Sequence, residues 1–238
     1  ALVRAAEACY DGALAYHAPF ISGKDSLNNQ FTTDDGQTIA IPPTLLISAV
    51  AVVPDARRCL TSDAKRPGNL LLQVGATGPE LGASHGLALA ALPPSNDIPH
   101  ADLDLGPRTA RAVAQLIQAR LVDSAHDCSE GGALAAAAEM AFAGRLGLAV
   151  NLDGVPRRGN LDPFAACFAQ TPARYLLEIA PQNLDHVARR LTDAGIPFGE
   201  IGAFNDSARL TVRDREAGPL ADLDVDDLLA AWRGTLDW

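Results

Sequence analysis

Apolar residues follow two rhythms along this chain, one returning every third or fourth position and one continuous or alternating, and the changes between them mark out its elements. Leu2, Ala5, Ala6, Cys9, Ala13 and Tyr16 recur at helical spacing and predict a helix over 1–16, broken at His17-Ala18-Pro19. Asp34-Asp35-Gly36-Gln37 reads as a turn. After Pro42-Pro43, the apolar run from Thr44 to Val53 predicts a buried strand that Pro54-Asp55 ends. A second buried strand is predicted over 69–74; it opens into a glycine-bearing loop from Gly75 to His85, and 92–100 reads as a surface connection.

In the remainder, Val113, Leu116, Ile117 and Leu121 share one face of a helix predicted over 109–121. A short extended segment at 122–125 leads to a polar motif and an alanine-rich helix. Then come a strand at 146–152, a short helix at 160–170 and an alternating strand at 174–180. Leu184, Val187 and Leu191 stripe a helix that Gly195 closes, and strands follow at 198–204 and 209–212. Leu228, Leu229 and Trp232 place a final helix in the tail, packed back onto the body.

Strands alternating with helices, with several antiparallel returns, predict an α+β fold of α/β layered type. The stretch after Pro54 runs through Asp63, Lys65 and Arg66 to Pro67-Gly68 and reads as a domain boundary. The expected organisation is the remainder of one domain at 1–60, a complete second domain at 67–215 and a tail helix at 216–238. The chain opens inside an amphipathic pattern without a cap, as the later part of something longer would, and Trp238 reads as a natural end.

The 238 residues are enough for a substantial core, and no apolar run approaches the roughly 18 residues of a membrane span. The N-terminus lacks the basic-then-apolar layout of a secretory signal, so a cytoplasmic protein is expected. A formal charge of −10 argues against nucleic acid and anionic membrane as partners, while leaving nucleotides accessible through backbone amides, magnesium and a few cations. Cys9, Cys59, Cys128 and Cys167 are widely spaced, without a Cys-x-x-Cys pair, and suggest neither zinc nor disulfides; Cys128 stands apart by its position.

That position is His126-Asp127-Cys128-Ser129-Glu130-Gly131-Gly132, just before the alanine-rich run 133–142. Asp127 or Ser129 suits the N-cap and Glu130 the positive first turn, and Gly131 and Gly132 allow close approach of an anion such as phosphate to free amides. Taken alone, such a pattern is more often a well-capped helix than a phosphate site. A second island, Ser22-Gly23-Lys24-Asp25-Ser26-Leu27-Asn28-Asn29, offers Gly23 for backbone approach and Lys24 as a phosphate counter-charge. Asp25 there is a candidate magnesium ligand, with Ser26 and Asn28 as orienting groups; a solvated turn explains the same residues equally well. It is not a P-loop, because Ala18 and Asp25 stand where that motif needs Gly and Ser or Thr. The glycines of 75–85 do not match the dinucleotide fingerprint, and His100 reads as a solvated histidine.

Together, Pro19-Phe20-Ile21-Ser22-Gly23-Lys24-Asp25-Ser26-Leu27-Asn28-Asn29, Ile41-Pro42-Pro43-Thr44-Leu45-Leu46-Ile47-Ser48-Ala49 and His126 to Gly132 resemble the phosphoribosylformylglycinamidine synthases, and the resemblance extends to Ala230-Ala231-Trp232-Arg233. It implies a partial N-terminal-type domain followed by a complete C-terminal-type domain of the aminoimidazole ribonucleotide synthetase-like superfamily. It also implies an ATP- and magnesium-dependent reaction in which the formamide oxygen of formylglycinamide ribonucleotide is activated and ammonia displaces phosphate.

Carried over by motif, Gly23, Lys24 and Ser26 belong to the nucleotide and substrate site, and Asp127, Ser129, Gly131 and Gly132 to a phosphate-facing helix start. Asp25 and Glu130 are the expected metal ligands. Some members have a metal-binding Asn where Lys24 stands; an ammonium cannot ligate magnesium, and Asp25 is the substitute. The family's catalytic histidine belongs to a first half that this chain lacks, so neither His17 nor His126 inherits its role. The implied partners are that missing half and a separate glutaminase subunit. Two other readings stay open. One is a nucleotide-binding structural module of the parent synthetase; the other is a different superfamily enzyme, an aminoimidazole ribonucleotide or selenophosphate synthetase, against which the Gly-Lys-Asp-Ser-Leu island argues.

Overall fold

The computed structural model describes residues 1–26 and 29–234; Leu27 and Asn28 of the first polar island and the terminal Trp238 lie outside the described residues. The chain divides into two units, Ala1–Pro54 and Asp55–Trp238.

In the first unit the expected N-terminal helix is present as α1 (Leu2–Tyr16), closed by His17 in the left-handed conformation at φ 53°. Strands β1 (Gln30–Thr32) and β2 (Thr38–Ala40) form an antiparallel hairpin. The predicted turn lies between them: Gly36, at φ 84°, donates its N–H to the Thr33 carbonyl at 2.9 Å. The strand expected over 44–53 does not form, and its side chains are exposed: Leu46 89%, Val50 92% and Val52 91%. A strand exists through its ladder, and here β1 and β2 pair only with each other. None of the described residues of this unit is buried.

The second unit contains β3 (Leu70–Val74), α2 (His85–Leu89), α3 (Leu105–Gln118), β4 (Ser124–Asp127), α4 (Gly132–Gly144), β5 (Gly147–Asn151) and α5 (Pro163–Phe168). It continues through β6 (Tyr175–Ile179), α6 (Leu184–Asp193), β7 (Phe198–Asn205), β8 (Arg209–Asp214), β9 (Gly218–Asp224) and α7 (Val225–Gly234). The strands form one seven-stranded sheet in the order β4-β6-β3-β7-β5-β8-β9, antiparallel at every step except β5 to β8. The expected α+β, layered fold class is the one observed.

Alternate residues of the central strands feed two cores. Leu71 and Leu176 pack with Ala136, Ala137 and Met140 of α4 and Ala166 and Cys167 of α5, with Leu228 of α7 against the same cluster. Leu72, Val74, Leu177 and Ile179 pack with Val113 and Leu116 of α3 and Val187 and Leu191 of α6. Because helices cover both faces of β6, this strand is buried from Leu176 to Ile179, which corrects the alternating pattern expected for it. At roughly 25 cal/mol per Å² of apolar surface, these two contiguous cores dominate the stabilisation of the unit.

Three boundaries differ from expectation. Helix α3 starts at Leu105 because the Asp102 carboxylate accepts the N–H groups of Asp104 at 3.0 Å and Leu105 at 2.8 Å, while Pro107 falls in the first turn, where its missing donor costs nothing. His126 and Asp127 belong to strand β4, since they pair with Leu176 and Tyr175 of β6. Strand β9 occupies part of what reads as tail helix. It is a sheet edge, largely exposed and interrupted by Pro219, Asp222 and Asp224, and so lacks the apolar run that marked the inner strands. The tail helix does pack back: the Trp232 ring lies 5.9 Å from that of Phe142 on α4.

Candidate functional site

The sequence motif becomes a sharp exit from the sheet. Cys128 extends the pairing one residue past β4 by donating its N–H to the Arg174 carbonyl at 2.9 Å. The chain then turns through Gly131 at φ 80° and Gly132 at φ 68°, and α4 begins. Its N-cap is Gly131, which has no side chain, so neither Asp127 nor Ser129 caps the helix as the sequence suggested. Asp127 ends β4, and the Ser129 carbonyl accepts the Gly132 N–H at 3.1 Å. Glu130 stands before the first turn, its exposed carboxylate 3.5 Å from Nδ1 of His85.

Gly132 is not open to an anion in the way the motif suggested. A Cβ there would lie 2.7 Å from the Cys167 carbonyl oxygen, 2.7 Å from the Phe168 carbonyl carbon and 2.8 Å from the Ala169 carbonyl oxygen. Glycine is required because the end of α5 packs directly on the start of α4. Cys128 is buried there and its thiol is pushed up to about 11 by that burial, so it is a core residue and not an activated nucleophile.

Behind this exit lies a buried polar network that the sequence reading missed. Arg174 is 1% exposed. Its Nε donates to the Thr171 carbonyl at 2.9 Å, Nη1 to the Thr77 hydroxyl at 2.9 Å and Nη2 to the Ala169 carbonyl. Burial pulls its pKa below the ordinary guanidinium value. Gln73 donates from Nε2 to the Gly75 carbonyl at 3.0 Å and to the Thr77 hydroxyl at 2.8 Å, while its buried Oε1 has no hydrogen-bond partner.

Glu80 accepts from the Thr171 hydroxyl at 2.6 Å and from the Arg158 guanidinium. Burial works to raise this carboxyl, but the hydrogen bonds from Thr171, the backbone and Arg158 outweigh it and hold the group below the usual carboxylate range. The Thr77 N–H donates to the Pro156 carbonyl and the Arg158 N–H to the Thr77 carbonyl, each at 2.7 Å. The loop after β3 is thereby fixed to the segment before α5. Arg158 keeps half its side chain in solvent, leaving a guanidinium, anchored by a buried carboxylate, on the surface of the network. The signal available in the sequence was Thr77 and Glu80 set among Gly75, Gly78 and Gly82, too polar for a mere connection between a buried strand and a helix.

His126 sits beside this region with Nε2 2.7 Å from a carboxylate oxygen of Glu139 and Nδ1 2.7 Å from the Asp127 carbonyl, a link between β4 and α4. The other predicted island belongs to the first unit. Gly23, Lys24, Asp25 and Ser26 form an exposed, irregular stretch in which the Lys24 ammonium donates to the Ser26 hydroxyl. The structure therefore brings Asp127, Ser129, Glu130, Gly131 and Gly132 together at one helix start and places the first-island residues in the other unit. Among the described residues no group of three or more His, Cys, Asp or Glu side chains could hold a metal ion, so Asp25 and Glu130 do not by themselves make a magnesium cage. None of the helices among the described residues is long and apolar enough to cross a membrane.

A mixed sheet with helices on both faces, a glycine-bearing loop after its central strand and a double-glycine helix start beside that loop define a layered domain of the aminoimidazole ribonucleotide synthetase-like class. The family described as AIR synthase related protein, C-terminal domain, matches residues 66–215, and the chain belongs to that family. It is similar to the phosphoribosylformylglycinamidine synthase subunit PurL of Deinococcus radiodurans, at 31% identity over 240 residues, covering 99% of this chain and 31% of the relative. It is also similar to the same subunit of Alkaliphilus metalliredigens, at 32% identity over 219 residues, covering 92% and 28%.

The chain thus spans less than a third of the length of these curated relatives. Among solved structures, Thermotoga maritima PurL complexed with FGAR matches with a TM-score of 0.66 at 23% identity over 73% of this chain and 30% of that one. The same protein complexed with ATP matches with a TM-score of 0.63 at 22% identity over 73% and 27%. At these identities the likeness shows the fold.

Proposed function

We propose that this chain is the C-terminal part of a phosphoribosylformylglycinamidine synthase subunit, a cytoplasmic ligase of purine biosynthesis. The whole protein converts formylglycinamide ribonucleotide to the amidine, using ATP, magnesium and ammonia from a glutaminase subunit. One observation carries this reading: similarity to a PurL subunit runs over 99% of the chain, through the first unit with its Gly-Lys-Asp-Ser island, and is not confined to the shared C-terminal domain at 66–215. Membership of the wider family would by itself fit an aminoimidazole ribonucleotide or selenophosphate synthetase equally well. The solved PurL with ATP and PurL with FGAR support nucleotide and substrate as the ligands of the whole protein.

In this reading Gly23 and Ser26 approach the ligand, Lys24 meets phosphate charge and Asp25 contributes one magnesium ligand, the remainder coming from phosphate and from the rest of the protein. The α4 start, with Asp127, Ser129, Glu130, Gly131 and Gly132, serves the fold of the second unit, since Gly132 is closed by α5. That closure leaves Gly132 no room for a phosphate, so of the two roles open to this motif it supports the fold over a nucleotide site.

The test is ATP hydrolysis by the full-length protein with formylglycinamide ribonucleotide and an ammonium salt, before and after Lys24→Ala and Asp25→Ala. Substrate-dependent phosphate release that either substitution lowers at least tenfold is expected. Nucleotide binding without turnover establishes the structural module instead, and no dependence on the ribonucleotide sinks the assignment.

A further inference from the structure

Where β8 turns back into β9, the second unit carries an open dish of about 570 Å³ whose walls include Asn151, Asp153, Arg213, Asp214 and Arg215. Val150 and Val212 are register partners in the parallel β5–β8 pair and are both buried in the first core. Asn151 and Arg213, the next partners along, therefore point to the opposite face of the sheet. The second core lies on that face but takes no residue from β5, β8 or β9, so these two side chains stand clear of it. A bulge beside them, where Val212 faces Ala221 but Arg213 faces Pro219, bends the rim of the dish.

The polar atoms of the dish divide unevenly. Its carboxylates are engaged: one Asp214 oxygen accepts the N–H groups of Glu216 at 3.0 Å and Ala217 at 3.1 Å, and the other faces the Arg157 guanidinium at 3.5 Å. Asp153 gives one oxygen to the Arg215 N–H at 3.0 Å. The donors are free. Among the described residues the guanidinium groups of Arg213 and Arg215 make neither a hydrogen bond nor an ion pair, whereas Arg145, Arg158 and Arg209 are each tied to a carboxylate. Asn151 accepts the Asp153 N–H on Oδ1 at 3.2 Å, which orients the amide and leaves its NH₂ without a protein acceptor. With Arg157 behind Asp214, three guanidinium groups meet two carboxylates, and the dish is cationic on a chain of formal charge −10.

We infer that this dish binds a small, hydroxyl-bearing phosphate monoester of the sugar phosphate class. Arg213, Arg215 and the Asn151 NH₂ take the phosphate, and the second Asp153 oxygen takes a hydroxyl. Planar guanidinium forks match phosphate oxygens in pairs, and the volume lies within the roughly 300–1,000 Å³ of small-molecule sites. A polyanion would need a basic surface running on beyond the dish, which the acidic chain does not offer. The site shares no residue with the reaction proposed above.

The experiment titrates the 238-residue chain with glucose 6-phosphate by calorimetry and maps the amide resonances that shift. A single site with a Kd below about 1 mM is expected, with the shifts gathered at 151–153 and 213–218. Glucose gives no heat, and inorganic phosphate binds at least tenfold more weakly for want of the hydroxyl contact. Arg213→Ser and Arg215→Ser each weaken binding at least tenfold. Asn151→Asp keeps an oxygen for the Asp153 N–H and replaces the free NH₂ by a second oxygen, so it abolishes binding while the urea midpoint stays unchanged. Arg189→Ser removes the same charge from the exposed side of α6 and leaves the affinity as it was. No saturable binding, shifts lying elsewhere, or an affinity indifferent to Asn151→Asp overturns the inference. So does an equal loss with Arg189→Ser, which reduces the effect to overall charge, or inorganic phosphate binding as tightly as the ester. Because binding is read without ATP or turnover, its outcome is independent of whether the ligase assay succeeds.

Discussion

Glu178 is fully buried on β6 without a cationic side chain in contact, and its carboxylate is the hub of the second unit's first residues. One oxygen accepts the N–H groups of Lys65 and Arg66, each at 3.0 Å, and the amide of Asn69 at 2.8 Å; the other accepts Lys65 N–H at 2.8 Å and the Ser124 hydroxyl at 2.7 Å. Removing it by Glu178→Ala strands four donors. Asn69 keeps a second acceptor in Asp123 at 2.9 Å and the Ser124 hydroxyl can rotate, so the irreducible loss is the two backbone groups. A buried donor left unmade costs about 1–3 kcal/mol; Lys65 and Arg66 are exposed residues whose amides water reaches in part, so the low end applies to each and, with the void, the cost comes to about 2–4 kcal/mol.

Glu178→Gln keeps the shape. Its carbonyl can face the three donors at the first oxygen while its NH₂ faces Ser124, whose hydroxyl turns to accept; the Lys65 N–H loses its 2.8 Å acceptor and keeps the one at 3.0 Å, and the expected cost falls to about 1–2 kcal/mol. The assay is urea unfolding of the 238-residue chain followed by circular dichroism, comparing midpoints at unchanged slope. An alanine variant that loses less than about 1 kcal/mol, or a glutamine variant as damaged as the alanine one, would refute this account of the buried carboxylate.

Two further outcomes follow from the same packing. Gly132→Ala pushes a methyl group to within 2.8 Å of three backbone atoms of 167–169 at a positive φ, and should cost about 2–4 kcal/mol in the same assay; a loss below about 0.5 kcal/mol would mean that the site is open after all. Among the four free cysteines, Cys59 is exposed and Cys9 half-exposed, whereas Cys128 and Cys167 are buried with thiols raised to about 11 and about 12. A thiol-reactive chromogenic disulfide should therefore titrate two thiols quickly in the native chain and four in denaturant, and rapid labelling of Cys128 would contradict its place in the core.

Strand β3 was legible because helices on both sides force the continuous apolar run Leu70 to Leu72; β6 was located too, but read as alternating, although Leu176 and Leu177 are both buried. Helix α6 was legible from Leu184, Val187 and Leu191 with Gly195, whose φ is 64°. Strand β9 was hidden, because an edge with little burial carries no strong pattern. The run 44–53 was read for what its residues want and not for what surrounds them here. At the site, the motif at Gly131-Gly132 was visible as chemistry, yet its glycines answer to a close contact that no local pattern reveals. The Arg174 and Glu80 network was missed for a related reason: Thr77, Arg158 and Thr171 are separated by tens of residues and meet only when β3 and β6 pair.

The interior position of β3, third of the seven strands, also dictates when the protein can fold during synthesis. Leu70 pairs with Ile179 on one side and Ala203 on the other, so this strand emerges from the ribosome more than a hundred residues ahead of either neighbour. Until β6 and β7 are made, Leu71, Leu72 and Val74 have no ladder to join, and the nascent chain must carry them unpaired. A polypeptide interrupted just before Tyr175 would hold the α3 and α4 sequences complete and still lack both partners of β3. Slow, late, all-or-none assembly is the expected course, with a need for chaperone cover while the first strand waits for its partners.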